Sequence, residues 1–188
     1  AAAHYRGVVK NQENSLVAIS ITQGEIFGII ATDEGNYNLG KLSGDDYIFY
    51  NDHDLAVKRD NFCGAIEVAS GNKVKIGNAD RFKSASKCVR VYVETDYELF
   101  QNKGSAQAVS DYITALFNQV AVLYQNESIT TQLSQVFVWT NNDPYSGSAS
   151  TDYLTKFRTT RTSFNGDIAH LVNLNGNLGG VAYVDVLC

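Results

Sequence analysis

The hydrophobic period of this chain changes once, and that change limits the folds open to its 188 residues. From Tyr5 to about Val68 the pattern is β-like. The runs Leu16-Val17-Ala18-Ile19-Ser20-Ile21, Ile26-Phe27-Gly28-Ile29-Ile30 and Tyr47-Ile48-Phe49-Tyr50 are short and rich in β-branched and aromatic residues. Turn sequences such as Thr22-Gln23-Gly24-Glu25 and Ser43-Gly44-Asp45-Asp46 separate them. Strands this short are not stable as isolated hairpins, so they must pack on one another or on later parts of the chain. Residues 69–87, rich in Gly, Lys, Ser and Asn, read as a linker exposed to proteolysis.

Past the linker, strands and helices alternate. Cys88 to Asp96 reads as a strand. Ser105 or Ser110 can cap a helix whose apolar stripe is Val109, Ile113, Leu116, Phe117, Val120 and Tyr124, spaced three and four apart. Gln135 to Trp139 gives a second strand, with a turn after it at Asn142-Asp143-Pro144-Tyr145. Ser150 or Thr151 opens a shorter helix with Leu154, Phe157 and Arg158, and residues 167–172 and 180–187 make two further strands. Strand, helix, strand, helix, strand is the order of a mostly parallel sheet with crossover helices. The fold class is α+β or α/β: a β-rich module at 1–68, the linker at 69–87, and a mixed sheet with two helices at 88–188.

Charge and composition exclude several roles. A net charge of −5 supplies no basic stripe for a phosphate backbone, so nucleic acid is not an expected partner. No apolar run reaches membrane-spanning length. The opening Ala1-Ala2-Ala3-His4 is neither an initiator Met nor a signal peptide, so upstream sequence is expected to have been removed. The three cysteines, Cys63, Cys88 and Cys188, match no zinc ribbon or CxxC motif, and an odd number leaves at least one without a partner in the chain. The only histidines are His4, His53 and His170. None has a second His one helical turn away with a Glu between, so no HExxH zinc helix is present.

Both halves resemble the reprolysin/ADAM-type metzincin zinc proteases, through several short matches in the right order. The stretches His4 to Val9, Ser15 to Ser20, Ile26 to Ile30 and Asn36 to Leu39 are similar to the end of that family's propeptide. Asn61-Phe62-Cys63-Gly64-Ala65-Ile66 is similar to its short Cys-Gly inhibitory segment. Val138-Trp139-Thr140 with Asp143-Pro144, Gly166 to Leu171, and Gly180-Val181-Ala182-Tyr183 ending in Cys188 resemble the start of its catalytic domain.

The resemblance implies a zymogen: a propeptide module and then an incomplete metzincin upper subdomain. In such proteins a propeptide thiol fills the open position of the catalytic zinc, here Cys63 with Gly64 after it. Zinc binds thiolate at about 2.3 Å and favours the deprotonated thiol, so a cysteine held beside it is an effective plug. The backbone of Gly180, Val181 and Ala182 is expected to take an extended peptide as an antiparallel strand, with small residues allowing close approach. Asp167 matches an acidic position that contributes to calcium binding in some relatives. The partner carboxylate there comes from the first strand, where this chain has Arg90, so Asp167 is instead expected to pair with Arg90 or to start its strand. His170, on an apolar strand, is expected to be a hydrogen-bonded core residue.

In the family a further strand, the zinc helix and a Met-containing turn come next; this chain has no Met at all. The missing strand lies between the third strand and the edge strand in relatives. Without it, 180–187 would lack a neighbour, so either the C-terminal remainder accompanies the chain or the edge strand rearranges. The expected function is the propeptide and N-terminal catalytic segment of a zinc-dependent endopeptidase, secreted to an extracellular or periplasmic location and inactive by itself. Zinc would be held by the intact parent, and the partners are the missing part of the catalytic domain and a peptide or protein substrate. The alternative is a non-catalytic peptide- or protein-binding module with a protease-like fold.

Overall fold

The computed structural model of the chain describes residues 2–56, 63–66, 88–174, 178–184 and 186–187. The linker expected at 69–87 lies outside them, as does Cys188. The chain divides into two compact units, each drawn from two separate segments. One comprises Ala1–Lys58 with Lys103–Thr131, the other Arg59–Asn102 with Gln132–Cys188. The class is mixed α/β, with a β-rich N-terminal sheet and a smaller, partly parallel sheet flanked by helices.

In the first unit, β1 (Ala3–Val9), β2 (Gln12–Thr22), β3 (Glu25–Thr32), β4 (Gly35–Ser43) and β5 (Asp46–Asn51) form an antiparallel meander in sequence order. Three of these strands coincide with the apolar runs; β1 and β4 carry Arg, Asn, Lys and Gly and are specified by their neighbours instead. The β2–β3 hairpin turns on Gln23 and Gly24, both at positive φ, which matches the right-handed twist of the paired strands. A 3-10 turn, Asp52–Asp54, ends the meander.

Helix α2 (Ala106–Asn126) covers one face of this sheet. Ser105 caps it, its side chain accepting the Ala108 amide at 3.1 Å. The register puts Ala18 and Ser20 of β2 and Phe27 of β3 on the covered face. There Ala18 and Ser20 are fully buried, and Phe27 meets Tyr112 of α2 edge-on. The apolar stripe expected on α2 is only partly covered: Val109 and Ile113 are buried, whereas Leu116, Val120 and Tyr124 are each more than a third exposed. The side of α2 carrying Ala115, Asn118, Ala121 and Val122 is buried as well.

In the second unit, β7 (Cys88–Thr95) is the central strand of a three-stranded sheet, with β8 (Thr130–Val138) on one side and β9 (Ile168–Val172) on the other. The β7–β9 pairing is parallel, as the crossover pattern requires. Flanked on both sides, β7 is buried from Val91 to Thr95. Asp96 then caps the short helix α1 (Tyr97–Lys103), accepting the Leu99 amide at 2.8 Å. Gly104 ends α1 at φ +80, a left-handed conformation that glycine adopts without strain. Helix α3 (Ser150–Thr160) buries Phe157 against Tyr92 and Tyr145, with Phe137, Trp139 and Leu171 around them. Two short strands, β6 (Cys63–Ile66) and β10 (Gly180–Tyr183), form a separate pair in this unit.

Candidate peptide-binding edge

Strand β10 is where the sequence places a peptide-binding edge. Its four residues alternate in burial, with Gly180 and Ala182 exposed and Val181 and Tyr183 half-buried. Two contacts from α3 position it. The Ser150 hydroxyl donates to the Gly179 carbonyl at 2.6 Å, and the Arg158 guanidinium lies 5.1 Å from the Tyr183 ring centre. Between α3, β9 and β10 opens a groove of about 1060 Å³, lined by Tyr153, Phe157, His170, Leu171, Val181 and Leu187 among others.

The strand paired with β10 is β6. Gly180 lies opposite Cys63, Val181 opposite Gly64, Ala182 opposite Ala65 and Tyr183 opposite Ile66, all in parallel register. The Val184 amide continues the ladder to the Ile66 carbonyl at 3.1 Å. The edge strand expected to lack a neighbour therefore has one: the Cys-Gly segment. That segment runs in the same direction as β10, opposite to the antiparallel direction expected of a peptide at this edge. A Cβ added at Gly64 would sit 3.6 Å from Val181 Cγ2, an ordinary contact.

The other residues singled out from sequence fall elsewhere in the second unit. Asp167 precedes β9 and is taken up by Arg90: the Arg90 amide donates to Asp167 Oδ2 at 2.7 Å, and Arg90 Nη2 lies 3.2 Å from Oδ1. The hydrogen bonds from the Arg90 backbone, then from its guanidinium, hold the Asp167 carboxyl below the usual range. His170 lines the open groove on β9 and is exposed, so it is not a core residue as the apolar strand sequence suggested. Cys88 is an exposed thiol without a disulfide partner among the described residues.

Sequence reasoning missed the most heavily bonded side chain in this unit. Glu94 is fully buried near the C-terminal end of β7. Its carboxylate accepts Arg161 Nε at 2.6 Å, the Tyr145 hydroxyl at 2.5 Å, Trp139 Nε1 at 2.7 Å and the Tyr92 hydroxyl at 2.8 Å. Burial pushes the Glu94 pKa up, but these four donors, Arg161 foremost, outweigh it and hold the carboxyl below its ordinary value. Tyr92 and Tyr145 are pushed up, by burial first and then by donating to Glu94. The signal in the sequence was an acid directly after the apolar run Val91-Tyr92-Val93. Next to it, Asp96 is nine-tenths buried or more, and burial raises its pKa against the amide bonds from Leu99 and Leu174.

Among the described residues no three His, Cys, Asp or Glu side chains come together as metal ligands, and no helix is long and apolar enough to cross a membrane. The described residues therefore do not fit a catalytic zinc.

The second unit combines a partly parallel α/β sheet with a separate two-stranded parallel ladder in which β10 carries the extended segment β6. A family model of the reprolysin type, described as metallo-peptidase family M12, matches residues 85–188, and the chain belongs to that family. Membership implies peptide substrates and a zinc ion in the intact enzyme. No curated protein matches the chain.

Proposed function

We propose that this chain is the propeptide and the N-terminal catalytic segment of a secreted zinc endopeptidase of family M12, held latent by its own Cys-Gly segment. The functional boundaries are 1–68 for the propeptide, 69–87 for the processing region and 88–188 for the start of an incomplete metzincin-type catalytic domain. The zinc-holding helix belongs to polypeptide outside these residues, because none of the three histidines has a partner at HExxH spacing. The observation that carries this reading is the ladder between β6 and β10.

An extended segment on the edge occupies the hydrogen-bonding groups that a peptide would use, so the two exclude one another. Chain direction explains why the occupant would survive. A strand of reversed direction presents each carbonyl and amide in the opposite order, and no peptide bond is offered to the reacting groups as in an antiparallel substrate. Cys63 opens β6, where its thiolate would serve as the zinc plug in the intact enzyme. Asp167 acts as the partner of Arg90 rather than as a calcium ligand.

The test is the intact parent protein carrying Cys63→Ala, assayed on a quenched peptide and with a zinc-chelating dye. Activity and chelator access before processing are expected to rise well above the unmutated zymogen. Unchanged latency and unchanged access would overturn the thiol assignment. A parent sequence without HExxHxxGxxH would instead make the chain a peptide-binding module.

A further inference from the structure

The first unit contains a docking surface that the latency reading does not use. Its sheet comes from the first part of the chain, yet the helix seated on it comes from residues 106–126. The covalent path between them leaves the unit, so only non-covalent contacts hold sheet to helix. At their centre is Asn118, a polar residue in the middle of α2 that is only 5% exposed.

All of its bonding groups point at the sheet. Asn118 Oδ1 accepts Arg6 Nε of β1 at 2.8 Å. Its Nδ2 faces the Ser20 hydroxyl at 3.2 Å, the Tyr5 carbonyl at 3.4 Å and the Ile19 carbonyl at 3.5 Å. His4 Nδ1 completes the cluster at 2.9 Å from the Ser20 hydroxyl. Small residues on both sides, Ala18 and Ser20 on β2 and Ala115 and Ala121 on α2, let the helix approach closely enough for these bonds. A buried amide satisfied on one surface only fixes register, because any slip leaves it unpaired.

We propose that the β1–β5 sheet is a helix-binding module whose partner is α2, recognised through Asn118, and that this grip outlasts cleavage of the connecting chain. Cutting the chain and releasing the N-terminal module are then separate steps. This holds whether or not β6 is an inhibitory strand.

The experiment uses the full chain with a site for a sequence-specific protease introduced within residues 57–62. That position precedes β6, so the severed piece carries only β1–β5. After cutting, the two pieces are expected to elute together on gel filtration at low micromolar concentration. Asn118→Leu removes every bond that α2 makes to the cluster and should weaken retention about a hundredfold. Arg6→Ala alters an exposed side chain, leaves the fold intact and should weaken it about tenfold. Circular dichroism of the uncut variants checks that both fold; if Asn118→Leu does not, Arg6→Ala decides. Separation of the pieces in the unmutated protein overturns the proposal. So does a folded Asn118→Leu or an Arg6→Ala variant that retains the module as well as the parent.

Discussion

Replacing Arg161 by Met should invert the pH dependence of stability in the second unit. Among the described residues Arg161 is the only cation that bonds Glu94, whose side chain is fully buried while that of Arg161 is about a quarter exposed. Met keeps most of the apolar stem that packs near Tyr92 and Phe137 but removes the guanidinium lying 4.7 Å from the Phe137 ring centre. Breaking a buried ion pair from one side costs about 3–5 kcal/mol because a charge is left without its partner. Here Trp139, Tyr145 and Tyr92 still donate to that charge, which places the expected loss near the lower end, about 3 kcal/mol at pH 7.

The sign depends on which state takes up the proton first. In the parent, Glu94 has a folded pKa below its unfolded value. Its stabilising contribution is complete above the unfolded pKa, about 4.3, and fades as the pH falls through the lower folded value. Without Arg161 the strongest lowering influence is gone and burial dominates, so the folded pKa lies above the unfolded one. The variant then gains stability as the pH falls from neutrality, by up to about 1.4 kcal/mol per pH unit for the single proton. Urea unfolding monitored by fluorescence reads this directly, since Trp139 is the only tryptophan and bonds Glu94 itself. Equal losses for Arg161→Met at pH 7 and pH 5, relative to the parent, would refute the argument.

Other contacts carry two more expected outcomes. Calcium added at millimolar concentration should leave the melting temperature of this chain unchanged, because Arg90 occupies both oxygens of Asp167; a rise of several degrees in differential scanning calorimetry would mean that calcium displaces it. Gly28→Ala should destabilise the first unit by about 1–3 kcal/mol, since the added methyl carbon would lie 2.9 Å from the Ala18 carbonyl oxygen and 3.1 Å from an Ile19 side-chain carbon. Denaturant titration monitored by circular dichroism checks it, and a neutral substitution would show that β2 and β3 can move apart.

The elements legible in the sequence were those whose own pattern decides them. The runs around Val17, Ile29 and Phe49 became strands, Ser105 capped its helix, and the tract at Ala169 became a parallel strand. Elements decided by neighbours were harder to see. Strands β1 and β4 contain too many polar residues to stand out, and β8 begins at Thr130, well before its apolar end. Helix α1 has only seven residues, and its local marks are the Asp96 cap and the Gly104 stop. The edge at Gly180, Val181 and Ala182 was legible as a strand, but not its pairing with Cys63 and Gly64, which depends on where distant chain meets. Asn118 and Glu94 were missed for a shared reason. Each is a polar residue on the buried face of its element, tolerated because most of its partners arrive from elsewhere in the sequence.

Two attachments of N-terminal chain to C-terminal chain, one in each unit, have a consequence for how tightly either must hold. The β6–β10 ladder has only four residue pairs, and a strand pair that short has little stability of its own. It does not need more while the polypeptide on its N-terminal side is gripped elsewhere. With β1–β5 fixed on α2, β6 would return to β10 as an intramolecular event even after a cut in the proposed processing region at 69–87, at the millimolar effective concentration that a short tether supplies. Weak local pairing and high occupancy are then compatible. In the proposed zymogen, once the chain is cut at 69–87, the same arithmetic makes the sheet–helix contact the step that governs release: with Asn118 parted from its partners no tether is left, and four strand pairs alone would not keep a peptide off the edge.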